Sequence, residues 1–557
     1  MNIHRFLPAL ALAFCIYLLN VPVDIMDVDA AQYASMGREM LENGDFLHVY
    51  DRGNEYLDKP PLIFWLTAVS YQLFGINNFA FKFPAILFAL LGVFAVYRFG
   101  RLWYDRETGA LAAIILGITQ GYFHFTNDVR TDVFLTNSVI ACVWLLSEQI
   151  KSPRSFWWIP AFFFAGIGML AKGPLGLVVP ALALGTHVLI TRDFKLIFNW
   201  RWLAGLVVVL VVLSPMLLGL YQQFDAQPDK LVNGRHHVSG LRFFFWEQSF
   251  GRITGENVWK NDSGPFFFVH SFAWSFLPWT LFFLAGFFNR IYNLARETRS
   301  TLASVPEWIS FGGFLLPFIA LSFSKYKLPH YIYVVFPFAA IITAFYLVTL
   351  FRQGKASVQT ILLRVQWAIL LLVWGFAGVI FLWFFPLRGI IEYTVAFLGL
   401  AAFIYFAFGG KFLTWQRIVF ISLGSALSIN VLLALRFYPS VLDYQAGGKI
   451  GRYIREKQIN PDLVFNYMAG SRALDVYAQA TIRDLRMDQL DSLLSAQQHV
   501  YLFTGQDGFH NLSARSIPFN VILKLDDFPV TLLRMNFGNP QKRPETLRPK
   551  YLLEIKS

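Results

Sequence analysis

The sequence predicts an all-α polytopic membrane domain followed by a small α/β domain at the C-terminal end. Three observations predict it. The 557 residues are 56% hydrophobic and only 15% charged, far below the charge of a soluble chain of this length. Apolar runs recur as far as residue 437, and crossing a bilayer takes about 20 residues. Beyond residue 440 the texture changes to ordinary charge, turn residues and short β-like runs.

Taken in order, the apolar runs fall at 6–23, 79–98, 108–125, 132–150, 156–170, 174–190, 202–221, 265–288, 308–323, 331–350, 362–385, 389–409 and 417–436, thirteen expected spans. The first follows Met1-Asn2-Ile3-His4-Arg5 and has no small-residue cleavage site. It is read as a retained helix rather than a signal peptide. Alternate connections carry the cations: Arg98, Arg101 and Arg106; Lys151 and Arg154; Arg192, Lys195 and Arg201; Arg290, Arg296 and Arg299; Arg352, Lys355 and Arg364; Lys411 and Arg417. By the positive-inside rule these connections face the cytoplasm, and the odd number of spans puts the C-terminal end outside. Residues 24–58 carry only Arg38 and Arg52 against a run of acids, as an outer loop should. The aromatic share of 18% suits lipid-facing and interfacial surfaces.

The net charge of +12 does not mark a nucleic-acid binder, because the basic residues lie between apolar runs and not on one soluble face. Cys15 and Cys142 both sit in apolar segments, so a disulfide framework is not expected. The expected division is 1–438 for the membrane domain and 439–557 for the outer domain. β-like runs stand at 463–465, 500–503, 521–523 and 551–553, with helical patterns at 445–458 and 487–497.

The outer connections hold the chemistry. In the first, Ala30, Tyr33, Ala34, Gly37 and Leu41 recur on one face of an interfacial helix that begins near Asp29. Asp29 with Gln32 three residues on fits a helix cap; it also fits a carboxylate placed just outside the bilayer to take a proton. Further along, Asp58-Lys59-Pro60-Pro61 starts a second interfacial helix, with Pro in the first turn. Lys59 there either faces a phosphate or forms a surface ion pair with Asp58. Asp132 opens the fourth span, and Lys172 lies in the tight outer turn Ala171-Lys172-Gly173-Pro174, where it breaks the charge asymmetry. Lys327, His330 and Tyr331 share the turn 322–332, and Arg252 lies in the long loop 222–264. The adjacent His236 and His237 of that loop make a poor chelating pair without a third ligand. Cations gathered at one membrane face, Lys59, Lys172 and Arg252 among them, are explained by a buried anion, and a lipid phosphate at the interface suits them.

These segments in this order resemble bacterial GT-C membrane glycosyltransferases of the protein O-mannosyltransferase-like group, in particular the 4-amino-4-deoxy-L-arabinose transferases that modify lipid A. The resemblance covers about residues 1–350. It implies a GT-C fold in the bacterial inner membrane with a periplasmic site and a periplasmic C-terminal domain. It implies an undecaprenyl-phosphate sugar as donor, and lipid A, a surface glycan or a secreted protein as acceptor. By position, Asp29 matches the catalytic carboxylate and Asp132 a second loop carboxylate. Lys59, Lys172, Arg252, Lys327 and Tyr331 fall around the donor phosphate. Some relatives hold a divalent metal beside the acid of the acid-Lys-Pro-Pro segment. Asp58 and His330 are the candidate ligands here, with Asp58 one methylene shorter than the usual Glu. No nucleotide is implied, and no Walker-type glycine loop is present. A polyprenyl-sugar flippase, or a silent lipid-binding homologue, is the rival expectation.

Overall fold

The computed structural model describes residues 7–125, 127–196, 198–232, 234–248, 251, 261, 263–296, 305–353, 356–409, 412–495 and 499–556. Among the described residues, seven helices are long and apolar enough to cross a membrane: Asn78–Trp103, Thr131–Lys151, Trp200–Asp225, Pro329–Gln353, Ala356–Phe384, Ile390–Phe408 and Thr414–Leu442. Leu62–Phe74, Trp158–Lys172, Leu175–Thr191 and Ile309–Ser322 are shorter apolar helices. The chain is thus a multi-pass membrane protein.

Helix occurs within all thirteen expected spans, and two of them are broken. In 108–125 the chain leaves helix at Thr119, which is extended with ψ 142°, before the short helix Gln120–His124. In 265–288 the helices Phe267–Ser275 and Thr280–Arg296 flank Pro278, which lacks the N–H an unbroken helix needs. Thr131–Lys151 is the central post, 94% buried over its apolar stretch, whereas Ile390–Phe408 is 17% buried and turns its Leu, Ile and Phe side chains to lipid.

The turn that carries Lys172 requires its glycines. Gly173 has φ 70° and ψ −155°, a conformation only glycine adopts without strain. At Gly176 a Cβ would stand 2.3 Å from the Met169 nitrogen, so the helices Trp158–Lys172 and Leu175–Thr191 meet backbone to backbone.

The first outer connection forms helix Asp29–Asn43, a hairpin of β1 (Tyr50–Asp51) and β2 (Asn54–Glu55), and helix Leu62–Phe74. Asp29–Asn43 buries residues 33–40 within the protein, Arg38 and Glu39 included. Gly37 packs directly on Thr67 of the next helix.

Residues 464–555 hold a five-stranded sheet in the order β4-β3-β5-β7-β6: β3 (Val464–Tyr467), β4 (Arg483–Asp484), β5 (Val500–Thr504), β6 (Asn520–Asp527) and β7 (Arg548–Ile555). β3 runs parallel to β4 and β5, while β7 is antiparallel to β5 and β6. Alternation sorts β7 in the usual way: Tyr551, Leu553 and Ile555 enter one apolar cluster and Leu552 the other, on the far face. Helices Ala446–Glu456 and Arg472–Ala478 pack together beside the sheet.

Candidate functional site

The connections expected on the outer side converge on a cavity of about 1120 Å³. Asp29, Asp58, Lys59, Asp132, Lys172, His330 and Tyr331, each singled out in the sequence, all line it. They come from five separate stretches of chain.

Asp29 stands at the first position of its helix. Val28 is the residue before it, and no side chain caps that end. The cap reading therefore fails: the Asp29 carboxylate accepts a hydrogen bond from the Arg130 guanidinium, and the Gln32 amide donates to Asp51 at 2.8 Å. Arg130 also donates to Asp128 at 2.6 Å. Burial disfavours the Arg130 charge, but Asp128 and Asp29 outweigh it and raise its pKa. Asp29 keeps a side-chain exposure of 37%, so it is both held and reachable from the cavity. Tyr33 and Tyr56 close the wall behind it. Burial pushes both phenols well above their ordinary range, and the nearby carboxylates add to the shift. Both rings pack edge-on against Phe64.

On the membrane side, Lys172 Nζ donates to Asp132 Oδ1 at 2.5 Å and stands 3.7 Å over the Tyr331 ring. Both partners of the ion pair are buried. His330 Nε2 lies 3.7 Å from the other Asp132 oxygen. Lys59 Nζ donates to Asp58 Oδ2 at 2.7 Å. Burial, geometry and sign make Asp132 the counter-ion that holds a lysine ready in a partly dry wall.

A second space of about 120 Å³ adjoins this wall. Lys59, Lys172 and Tyr331 line it as well as the cavity, and the rest of its lining is mostly apolar: Leu175, Val178, Leu182, Pro317 and Leu321 among others. Two lysines and a tyrosine thus mark the junction of a polar chamber and a greasy slot.

Two expected residues fall elsewhere. Lys327 does not line the cavity; it is buried, with its ammonium donating to the Ser263 carbonyl at 2.9 Å. Arg252 lies outside the described residues. The two candidate metal ligands, Asp58 and His330, both line the cavity. Asp58 already accepts from Lys59, and among the described residues no three His, Cys, Asp or Glu side chains converge. Cavity residues that the sequence did not single out include Arg130, Asp51 and Arg472. Arg472 belongs to the C-terminal region and grips Asp51 through two nitrogens at 2.5 and 2.8 Å. Arg130 was visible two residues before Asp132, but its pairing with Asp29 spans 101 residues and leaves no local signal.

Residues 58–218 match the family model described as dolichyl-phosphate-mannose-protein mannosyltransferase. The undecaprenyl phosphate-alpha-4-amino-4-deoxy-L-arabinose arabinosyl transferase of Edwardsiella ictaluri is 29% identical over 454 residues, 76% of each chain. The protein of the same name from Pseudomonas savastanoi pv. phaseolicola is 26% identical over 68% of this chain and 62% of its own. In fold, the chain matches the crystal structure of ArnT from Cupriavidus metallidurans bound to undecaprenyl phosphate, with a TM-score of 0.75, 19% identity, and coverage of 100% of this chain and 98% of that one. The apo state of the same protein gives a TM-score of 0.76 at 18% identity, over 99% and 98% of the two chains. Motif order, relatives and fold agree: the chain is a membrane glycosyltransferase similar to the GT-C enzymes of the protein O-mannosyltransferase-like group, the 4-amino-4-deoxy-L-arabinose transferases among them.

Proposed function

We propose that the chain transfers a sugar from undecaprenyl phosphate to an anionic lipid such as lipid A, with inversion, at the periplasmic face of the bacterial inner membrane. The observation that carries this reading is the junction at Lys59, Lys172 and Tyr331, where a polar chamber meets an apolar slot. A polyprenyl-phosphate sugar has the same build: a polar sugar, an anionic phosphate and a hydrocarbon tail.

The reading assigns roles. The tail lies in the slot, the phosphate at Lys59 and Lys172, and the sugar in the chamber towards Asp29. Arg252 is a further candidate for the phosphate by its place in the sequence. An acceptor oxygen attacks the anomeric carbon. The bond from that carbon to the phosphate oxygen breaks, and the lipid phosphate leaves with the electron pair. Two ammonium groups in a partly dry wall stabilise that developing charge far more than they would in water. Asp29 takes the proton of a hydroxyl acceptor, or orients an acceptor that is already an ionised phosphate. Arg130 keeps the carboxylate in place for either task. Asp132 holds Lys172 in position until the phosphate arrives.

The same reading places thirteen spans across the bilayer with the N-terminal end in the cytoplasm. It divides the chain into a membrane domain of 1–438 and a periplasmic α/β domain of 439–557. The sheet of residues 464–555 and the helices before it support that division.

The test is direct. Purified protein is incubated with a panel of undecaprenyl-phosphate sugars and lipid A, and release of undecaprenyl phosphate is followed. Acceptor-dependent release that falls by about 10²–10⁴-fold in Asp29→Asn supports the reading. Release only with a glycan or a protein acceptor moves the acceptor class. Donor binding or lipid movement with no cleavage overturns transfer in favour of a flippase or a silent binder.

A further inference from the structure

The C-terminal region reaches across more than 400 residues of chain to grip the short stretch that leads into Asp29. Arg452 holds Asp24 through two nitrogens, at 3.0 and 2.6 Å. The Ile25 N–H donates to the Tyr477 hydroxyl at 2.7 Å, and the Ile25 carbonyl accepts from the Gln445 amide at 3.0 Å. The Gln445 side-chain oxygen accepts the Asp27 N–H at 2.8 Å. The Asp27 carboxylate in turn accepts from the Ser471 hydroxyl at 2.6 Å and from the Arg472 and Ala473 N–H groups at 3.1 and 3.3 Å. So Asp27, two residues before the helix Asp29–Asn43, is pinned to the start of the helix Arg472–Ala478.

Arg472 then closes a second path to the same place. Its guanidinium spans both oxygens of Asp51, and Asp51 accepts the Gln32 amide one turn along from Asp29. We propose that Arg472 is a positioning residue for the transfer reaction: its backbone N–H holds Asp27, and its guanidinium, through Asp51 and Gln32, fixes the first turn of the helix that presents Asp29 to the cavity. A planar, two-pronged guanidinium suits this task, because two parallel bonds fix direction as well as distance. The proposal rests on Asp29 acting in transfer as described above. It gives the C-terminal region a part in the site beyond covering it.

Hydrogen exchange of the full chain in lipid nanodiscs tests the brace without relying on turnover. Arg472→Ala is expected to speed exchange of the amides at 27–35 and 50–55 about tenfold while leaving strands 464–467 and 500–504 unchanged. Unchanged exchange at 27–35 overturns the brace, and faster exchange throughout the sheet means that Arg472 merely holds the C-terminal fold together. Turnover then tests its consequence. Arg472→Ala is expected to lower kcat about tenfold with the donor KM unchanged, and Arg472→Lys to recover part of the loss. A raised donor KM at unchanged kcat would make Arg472 a substrate-binding group and overturn the positioning role. If the wild-type chain releases no undecaprenyl phosphate from any donor, the transfer reading falls and the exchange result still decides the brace.

A separate observation concerns residues 529–538. Leu532, Leu533 and Met535 are 61%, 50% and 71% exposed in one short stretch. That stretch is tied to the outer end of a spanning helix. A Cβ at Gly538 would stand 2.7 Å from the Phe384 ring, the Phe537 and Phe385 rings pack at a tilt with centroids 6.2 Å apart, and Arg543 donates to the Phe384 carbonyl at 2.6 Å. Beside it, Leu382 and Ile390 of the lipid-facing helices are 72% and 83% exposed. The apolar side chains therefore extend the lipid-facing surface at interfacial height. We infer that this loop inserts into the outer leaflet. A nitroxide at Leu533→Cys, in a Cys15→Ala background in phosphatidylethanolamine–phosphatidylglycerol nanodiscs, is expected to be relaxed more by oxygen than by a water-soluble nickel chelate. The same label at Met468→Cys should show the reverse. Equal, water-like accessibility at both positions overturns the insertion.

Discussion

Asp132 and Lys172 show how a buried ion pair differs from a surface one. Both side chains are almost out of water, and the bond between them is 2.5 Å long. Removing one partner leaves an uncompensated charge in the wall, a loss of about 3–5 kcal/mol. Lys172→Met should therefore lower the thermal unfolding midpoint in detergent well below that of the wild type. The double change Asp132→Asn with Lys172→Met should recover most of that midpoint and none of the turnover, because Lys172, one of the two ammonium groups proposed for the phosphate, would still be missing. Equal midpoints for the single and double variants would show that the pair carries no buried charge cost. Of the residues here, Lys172 was legible in the sequence, since a lysine in a tight outer turn breaks the charge asymmetry of the loops. Its partner Asp132 was legible only as a helix-opening acid. Lys327 looked equivalent to Lys172, and the difference arises from the Ser263 carbonyl, which a neighbouring loop delivers to its ammonium.

The hairpin of Trp158–Lys172 and Leu175–Thr191 is the element that sets the height of Lys172. Its turn depends on Gly173 in a backbone region closed to other residues, and its packing on Gly176. Gly173→Ala should cost about 1–3 kcal/mol, read as a lower midpoint, and should weaken donor binding through the displaced lysine. Gly168→Ala, at 3.0 Å from the Gly176 Cα, should be the milder change. If Gly173→Ala proves the milder, the backbone argument fails. The hairpin was readable because Ala-Lys-Gly-Pro punctuates two apolar runs. Elements set by distant contacts were not. β4 has two residues and exists only because β3 lies beside it. The break at Thr119 interrupts an apolar run with no Pro or Gly at the break itself, so hydropathy runs straight through it.

Over the whole molecule, the contact between the first outer connection and the C-terminal region joins segments that no sequence pattern links. Arg52 donates to Asp475 at 2.7 Å across 423 residues, and neither residue stands in a motif. This contact also carries a titration. Burial raises the Asp475 carboxyl from 3.8 to about 6, against the opposing pull of Arg52, the Ile482 N–H and Arg472. Asp484 faces the same guanidinium from β4. The folded value lies above the unfolded one, so the sign follows. Above pH ~6 the group is ionised in both states and the folded chain bears the full burial cost. As pH falls from ~6 to ~4 the folded state takes up the proton first, and stability gains on the order of 3 kcal/mol. Below that window the gain is complete and constant. Asp475→Asn cannot titrate, and its amide still offers Arg52 an acceptor oxygen. The difference in unfolding midpoint between wild type and Asp475→Asn should therefore shift in favour of the wild type as pH falls from 7 to 4. A difference that stays flat across that range would mean that Asp475 remains charged in the fold, with Arg52 outweighing burial, and protonation would then cost stability instead of adding it.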